Sequence, residues 1–231
     1  MGSAAIDGIF VYSRALLLRF RRKYVIICTM KGGKAMSRGI IVFGASGSGT
    51  STLGKELARL LGFQHLDLDD YFWRWDTETP FTVPCPREKR IAKLMQDVEN
   101  CAYFVMSGSI CGWDTPFAAL FDLAVFITAP AAVRAERLHA RELARFGERI
   151  LAGGDMYEGH NNFLDWAERY DTMDPPERCL KLHEQWAETL MCPVLRVDGI
   201  ASIVENAAHT MEQYSLILPS NLKAALNGFT A

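Results

Sequence analysis

Gly44-Ala45-Ser46-Gly47-Ser48-Gly49-Thr50-Ser51 decides how this chain is read. It follows Ile40-Ile41-Val42-Phe43, a β-branched and aromatic run that suits a buried parallel strand. After it, Leu53, Leu57, Leu60 and Leu61 recur at helical spacing, with Lys55, Glu56 and Arg59 on the other face and Gly62 as the terminator. A loop of small residues lets several backbone N–H groups turn toward one anion, because no side chain blocks the approach. The positive end of the helix that starts there adds to the attraction. Strand, glycine loop and helix in this order predict a site for the phosphates of a nucleotide triphosphate, built from Gly44, Ala45, Ser46, Gly47, Ser48, Gly49, Thr50, Ser51 and Thr52.

The spacing Gly44-x-x-x-x-Gly49 is that of a P-loop, with one departure: a lysine normally follows the second glycine, and here Thr50 stands there. The lysine reaches the outer phosphates and offsets their charge during transfer. A threonine supplies one hydrogen bond and no charge. At an effective dielectric near 20, a cation about 4 Å from a phosphate charge is worth roughly 4 kcal/mol. Another cation must therefore replace it, or turnover will be poor. Lys55 lies a turn further on and is expected to point away, while Ser51 keeps the hydroxyl that usually holds Mg²⁺. A dinucleotide fold is the rival reading, and Asp67 or Asp69 would supply its acid about 20 residues on. Its glycines run G-x-G-x-x-G, however, and these run G-x-x-G-x-G. The order is wrong for it.

Downstream, strand patterns at residues 63–68, 102–106, 123–128 and 193–197 alternate with helical patterns at 86–100, 130–141, 174–190 and 200–213. A short helix is expected at Asp114-Thr115-Pro116, from its capping acid and first-turn proline. The alternation predicts an α/β fold, a doubly wound parallel five-stranded sheet covered on both faces. Residues 142–160, with Gly147, Gly153, Gly154 and Gly159, read as a mobile excursion.

The chain has 231 residues, 49% apolar and 11% aromatic, enough to bury a full core in one domain, placed at 36–215 with a tail at 216–231. A formal charge of −2 gives no global attraction to nucleic acid or to an anionic membrane. Six scattered cysteines without a C-x-x-C pair read as reduced thiols in a cytoplasmic protein. Residues 1–35 hold two apolar runs split by Arg19, Arg21, Arg22 and Lys23, and neither reaches the ~20 apolar residues of a bilayer span. Their basic cluster follows the apolar stretch, the reverse of a secretory signal. They are expected to be a loose extension, with Met36 a natural start for the folded unit.

Over about residues 38–213 the chain resembles the adenylate kinase-like and shikimate kinase-like branch of P-loop kinases. The threonine loop, followed by His65-Leu66-Asp67-Leu68-Asp69-Asp70-Tyr71-Phe72-Trp73, is similar in particular to an uncharacterised bacterial group of adenylate kinase-related, AAA-type ATPases. The resemblance implies ATP as donor and Mg²⁺ held through Ser51 and Asp67. It places Asp69 at the acceptor hydroxyl, as base or positioning group, while the plainer alternative makes these acids helix caps, Asp70 above all. Arg137-x-x-x-Arg141 is similar to the arginine pair that leads into the mobile lid of these kinases, which implies that both side chains close on the phosphates. Arg134, Arg145 and Arg149 are further candidates. Asp198-Gly199 corresponds to the loop beside the donor base.

Nucleoside monophosphate kinases commonly end the third strand in Asp-Gly, whereas this chain has Ser107-Gly108-Ser109, which favours a small hydroxyl compound as acceptor. Cys111, Gly112 and Trp113 would border that pocket. Tyr71-Phe72-Trp73-Arg74-Trp75 forms part of it or a flap packed on the core, and Arg87 and Arg90 would hold an anionic acceptor or be solvated. The implied activity is phosphotransfer from ATP to a small hydroxyl or phosphate metabolite, by a monomer or homodimer. The alternative is a nucleotide-binding sensor with weak or no transfer, for which Thr50 is the motive.

Overall fold

After Arg38 the first strand carries no charge, so both of its faces can be buried. In the computed structural model it is β1 (Arg38–Gly44), at the centre of the sheet and buried from Gly39 onward. It pairs in parallel with β3 (Tyr103–Ser107) on one side and β4 (Phe121–Thr128) on the other. Outside these lie β2 (Gln64–Asp67) against β3 and β5 (Val194–Asp198) against β4. The order β2-β3-β1-β4-β5 is the expected five-stranded parallel sheet. It also separates the chain from the dinucleotide fold, in which the first two strands are neighbours. Here β3 lies between them.

Side chains alternate across the sheet. Ile41 and Phe43 join Leu66, Phe104, Met106 and Phe126 on one face, while Ile40 and Val42 join Leu53, Leu57, Val105 and Val125 on the other. The second face is covered by α1 (Thr50–Leu61), which turns Leu53, Leu57 and Leu61 inward and leaves Leu60 exposed, and by the last helix, Ile203–Ile217, through Ala207 and Tyr214. The first is covered by the helices Arg87–Glu99 and Leu180–Thr189, through Leu94, Val98 and Ala187. In chain order the helices after α1 are α2 (Asp69–Phe72), α3 (Arg87–Glu99), α4 (Ala131–Phe146), α5 (Tyr157–Glu168), α6 (Leu180–Thr189) and α7 (Ile203–Ile217).

The structure describes residues 37–113 and 116–217. The expected extension at 1–35, the cap at Asp114-Thr115 and all but two residues of the expected tail lie outside the described residues. Pro116–Leu120 forms a single 3₁₀ turn.

Two boundaries differ from expectation. Helix α4 runs five residues past Arg141 because Leu138 and Glu142 stay buried along it, and it stops at Gly147, with φ +57°. The excursion that follows is largely helical, a 3₁₀ turn at Gly147–Ile150 and then α5. The helix expected from Asp174 starts only at Leu180, since a residue before proline disfavours the helical region and Pro175-Pro176 provides two such positions in succession. Its N-cap is Cys179, whose Sγ accepts a hydrogen bond from the Leu182 amide at 3.3 Å.

Candidate functional site

The glycine loop leaves the carboxyl end of β1 and is pressed against its neighbours. A Cβ on Gly44 would lie 2.2 Å from the Ile127 carbonyl oxygen of β4. Gly47 and Gly49 have φ of +82° and +107°, backbone that side-chain-bearing residues rarely adopt. Ser48 is buried, and both its amide and its hydroxyl donate to the Ala45 carbonyl, at 3.2 and 2.7 Å. Gly49 is the N-cap of α1 and brings no side chain to cap it, so the orphan N–H groups of the first turn stay available to an anion.

Residues Ser46 to Thr52 line a cleft of about 1700 Å³, whereas Gly44 and Ala45 are buried beneath them. Beyond β5, Gly199 seals the loop from behind: its amide donates to Thr128 at 2.7 Å, and a Cβ there would lie 2.5 Å from the Ser48 carbonyl oxygen.

Asp67, at the end of β2, and Asp69, at the start of α2, both line this cleft. Asp67 Oδ1 accepts the Asp69 amide at 3.2 Å, so Asp67 serves the turn and Asp70 does not cap it. Asp69 is open to the cleft yet surrounded by protein on most sides. This desolvation, and then the Asp67 carboxylate, raise its pKa above 3.8, while Arg178 and Arg141 act the other way. Lys55 is exposed, and its charge acts on Asp70 and His65.

The expected arginine pair is present along the cleft wall on α4, without a hydrogen bond to the loop. Arg137 is exposed. Arg141 donates to Glu142 at 2.8 Å and lies over the Phe163 ring at 6.0 Å. Of the further candidates, Arg145 lines the cleft and lies over the Phe81 ring at 5.1 Å, whereas Arg134 is buried in a two-pronged pair with Asp171 and Arg149 pairs with Asp155.

Sequence reasoning missed Arg178, between the prolines and α6. Its Nη2 donates to Ser46 Oγ at 2.7 Å, across 132 residues of chain. Its guanidinium lies 4.7 Å over the Trp166 ring, and its Nε is buried without a hydrogen-bond partner. Burial lowers its pKa below the ordinary guanidinium value, and Asp69 is the strongest influence in the opposite direction. No local pattern marks it.

Trp73, Phe81, Phe163 and Trp166 line the cleft together with Cys111 and Trp113. Arg90 is sandwiched between Phe72 and Trp113, 4.7 and 4.6 Å from the ring centroids, and Arg87 donates to the Trp113 carbonyl at 2.6 Å. Both arginines thus brace Trp113, and neither lines the cleft. Behind this loop, buried His183 bridges Ser109 Oγ at 2.8 Å and Tyr170 OH at 2.6 Å. Burial lowers its pKa from 6.5 to about 3, so it is neutral.

A family model described as an AAA domain matches residues 40–149. The uncharacterised protein YqaC of Bacillus subtilis is 38% identical over 180 residues, which cover 78% of this chain and 99% of that one. A cytidylate kinase of Natronomonas pharaonis is 28% identical over 182 residues, 74% of this chain and 88% of its own. Among solved structures, shikimate kinase from Acinetobacter baumannii in complex with shikimate aligns with a TM-score of 0.44 at 17% identity, covering 78% of this chain and 93% of that one. With its threonine-bearing glycine loop at the end of the central strand of a parallel sheet, the chain belongs to the P-loop kinase-like family, in the group that includes YqaC.

Proposed function

We propose that this chain is a Mg²⁺-dependent phosphotransferase that moves the γ-phosphoryl group of ATP to a small metabolite bearing a hydroxyl or phosphate. The observation that carries the reading is the shared cleft: the phosphate loop and Asp69 open onto the same space, with Arg137 and Arg141 along one wall. The loop suits a polyphosphate, because its two positive-φ glycines and uncapped helix start leave backbone donors and no side chain in the way.

In this reading the loop backbone holds the donor phosphates. Ser51 and Asp67 are the side chains that would hold Mg²⁺, which supplies charge neutralisation at the phosphates. Asp69 orients the acceptor O–H and takes its proton as the oxygen bonds to the γ-phosphorus and the bond to the leaving ADP oxygen breaks. Arg137 and Arg141 stabilise charge when residues 142–160 close over the cleft and exclude water. Ser107-Gly108 at the end of β3 favours a hydroxyl compound over a nucleotide as acceptor. The folded unit, expected at 36–215, extends to Ile217, where α7 ends, and is read as a cytoplasmic monomer or homodimer without a nucleic-acid or membrane partner. Among the described residues no helix is long and apolar enough to cross a membrane.

Calorimetric titration with Mg·ATP, followed by ADP-release assays across sugars, sugar acids, polyols and nucleoside monophosphates, tests the reading. Saturable ATP binding and acceptor-dependent ADP release are expected; absence of ATP binding would sink it. Thr50 supports a second reading, a nucleotide sensor that binds without transfer. Tight binding with no ADP release for any acceptor would favour that one.

A further inference from the structure

A P-loop that transfers a phosphoryl group needs a cation at the outer phosphates, and Thr50 provides none. The cations around the cleft can be compared by what they already hold. Lys55 is exposed on the cleft wall, and Arg59 is paired with Glu56 at 2.7 Å. Arg141 and Arg145 share Glu142, at 2.8 and 3.9 Å. Arg137 is exposed on the wall. Arg178 differs from all of them, because its guanidinium bonds directly to the loop at Ser46.

Three features suit this guanidinium to a phosphate. It is oriented by the Trp166 ring beneath it, which fixes the plane of its donors. Its Nε is buried with no hydrogen-bond partner, so protein acceptors do not saturate the guanidinium where it stands. Its partner in this structure is a neutral hydroxyl, a weaker acceptor than an anionic oxygen. Asp69 is, besides, the strongest electrostatic influence favouring its charged form, and both residues line the same cleft as the loop.

We propose that Arg178 is the catalytic cation that replaces the absent P-loop lysine, binding an outer phosphate oxygen of ATP in place of the Ser46 hydroxyl. The proposal rests on the phosphotransferase reading above and differs from a purely lid-borne charge supplied by Arg137 and Arg141. It also explains how a threonine is tolerated after Gly49: the charge enters from the segment before α6 instead of from α1.

The test is calorimetric binding of Mg·ATP and of AMP to the wild-type chain, Arg178→Met, Arg141→Met, Thr50→Lys and Thr50→Lys/Arg178→Met, with folding checked by circular dichroism. Arg178→Met is expected to weaken ATP binding by about tenfold or more and AMP binding by far less, the scale of one charge-assisted hydrogen bond. The added lysine in the double variant should recover most of that loss. Thr50→Lys is expected to gain less ATP affinity with Arg178 present than in the Arg178→Met background, because the two cations would answer the same phosphate charge. Should Arg178→Met fail to fold, Arg178→Lys, which keeps a charge and loses the planar fork, replaces it in both backgrounds. The proposal is overturned if the Arg178 variant binds ATP as the wild type does, if Arg141→Met alone removes the preference for ATP, or if Thr50→Lys gains as much with Arg178 present as without it. Failure of the wild-type chain to bind Mg·ATP overturns the phosphotransferase reading itself, and this inference with it.

Discussion

The carbonyl of Arg134 stands where a side chain on Gly47 would begin: a Cβ there would lie 2.7 Å from the carbonyl oxygen and 3.0 Å from Leu138 Cγ. Helix α4 is therefore pressed against the phosphate loop, and the arginines it carries are held beside the cleft because Gly47 has no side chain. Gly47 also has φ +82°. Gly47→Ala combines a left-handed backbone with a clash against main chain, and is expected to cost about 3 kcal/mol and to abolish ATP binding. Gly62→Ala is the control: φ is +66° and nothing lies within 4 Å, so only the backbone cost of about 1 kcal/mol remains. Chemical unfolding of the two variants separates clash from conformation.

Arg134 and Arg149 look equivalent in sequence and are not in the fold. The Arg134 side chain is 4% exposed, bonded to both oxygens of Asp171 and to the Ala129 carbonyl. Removing it leaves Asp171 and that carbonyl without their partner, so Arg134→Met is expected to lose about 2–3 kcal/mol, less than a fully buried pair because Asp171 is partly solvated. Arg149 and Asp155 meet in solvent, and Arg149→Met should leave the melting temperature unchanged within error. A large effect at Arg149 and none at Arg134 would reverse this assignment.

How much of this was legible beforehand follows from the range of each interaction. The loop and its flanking strand and helix are encoded within residues 40–62, where apolar period, glycine spacing and terminator are all local, and these appear in the structure as expected. The acids after β2 could be placed for the same reason. The partner of the loop could not, because the bond from Arg178 to Ser46 joins segments 132 residues apart and a lone arginine after two prolines carries no pattern. Arg90 was read from its charge, while its environment is set by Phe72 and Trp113, two rings from different segments. A helix end at Arg141 follows from reading the glycines of residues 142–160 as one excursion; Glu142 is instead buried against Arg141 and Arg145 and continues α4.

His183 gives the stability a pH dependence of definite sign. Its pKa falls from 6.5 to about 3 on folding, through burial first and the Arg178 charge second. The folded state keeps the imidazole neutral, while the unfolded chain takes up a proton near pH 6.5. Its contribution is full above about pH 6.5 and declines as pH falls toward 3, by up to about 1.4 kcal/mol per pH unit. His65 and His160, also lowered by burial, act in the same direction. His183→Gln should be less stable at pH 8, having lost the bridge between Ser109 and Tyr170, yet decline less steeply than the wild type between pH 6 and 5. Urea unfolding across that range is the measurement; parallel slopes would show that His183 titrates alike in both states.

Asp69 offers the sharpest separation of binding from transfer. It opens on the cleft beside the loop, but the donor phosphates are assigned to backbone groups of residues 44–51, which Asp69 does not supply. Asp69→Asn keeps the shape and one acceptor oxygen while losing the proton-accepting carboxylate. If Asp69 acts on the acceptor hydroxyl, kcat should fall by about 10²- to 10⁴-fold, with the ATP Kd within about threefold of wild type. Asp67→Asn should behave differently, raising the Mg²⁺ concentration needed for half-maximal rate, because its carboxylate is assigned to the metal. The comparison also bears on Arg178, since Asp69 favours that guanidinium's charged form. A drop in ATP affinity in Asp69→Asn as large as the drop in kcat would mean that the acid works by holding the arginine at the donor site, and its place as the acceptor base would fall.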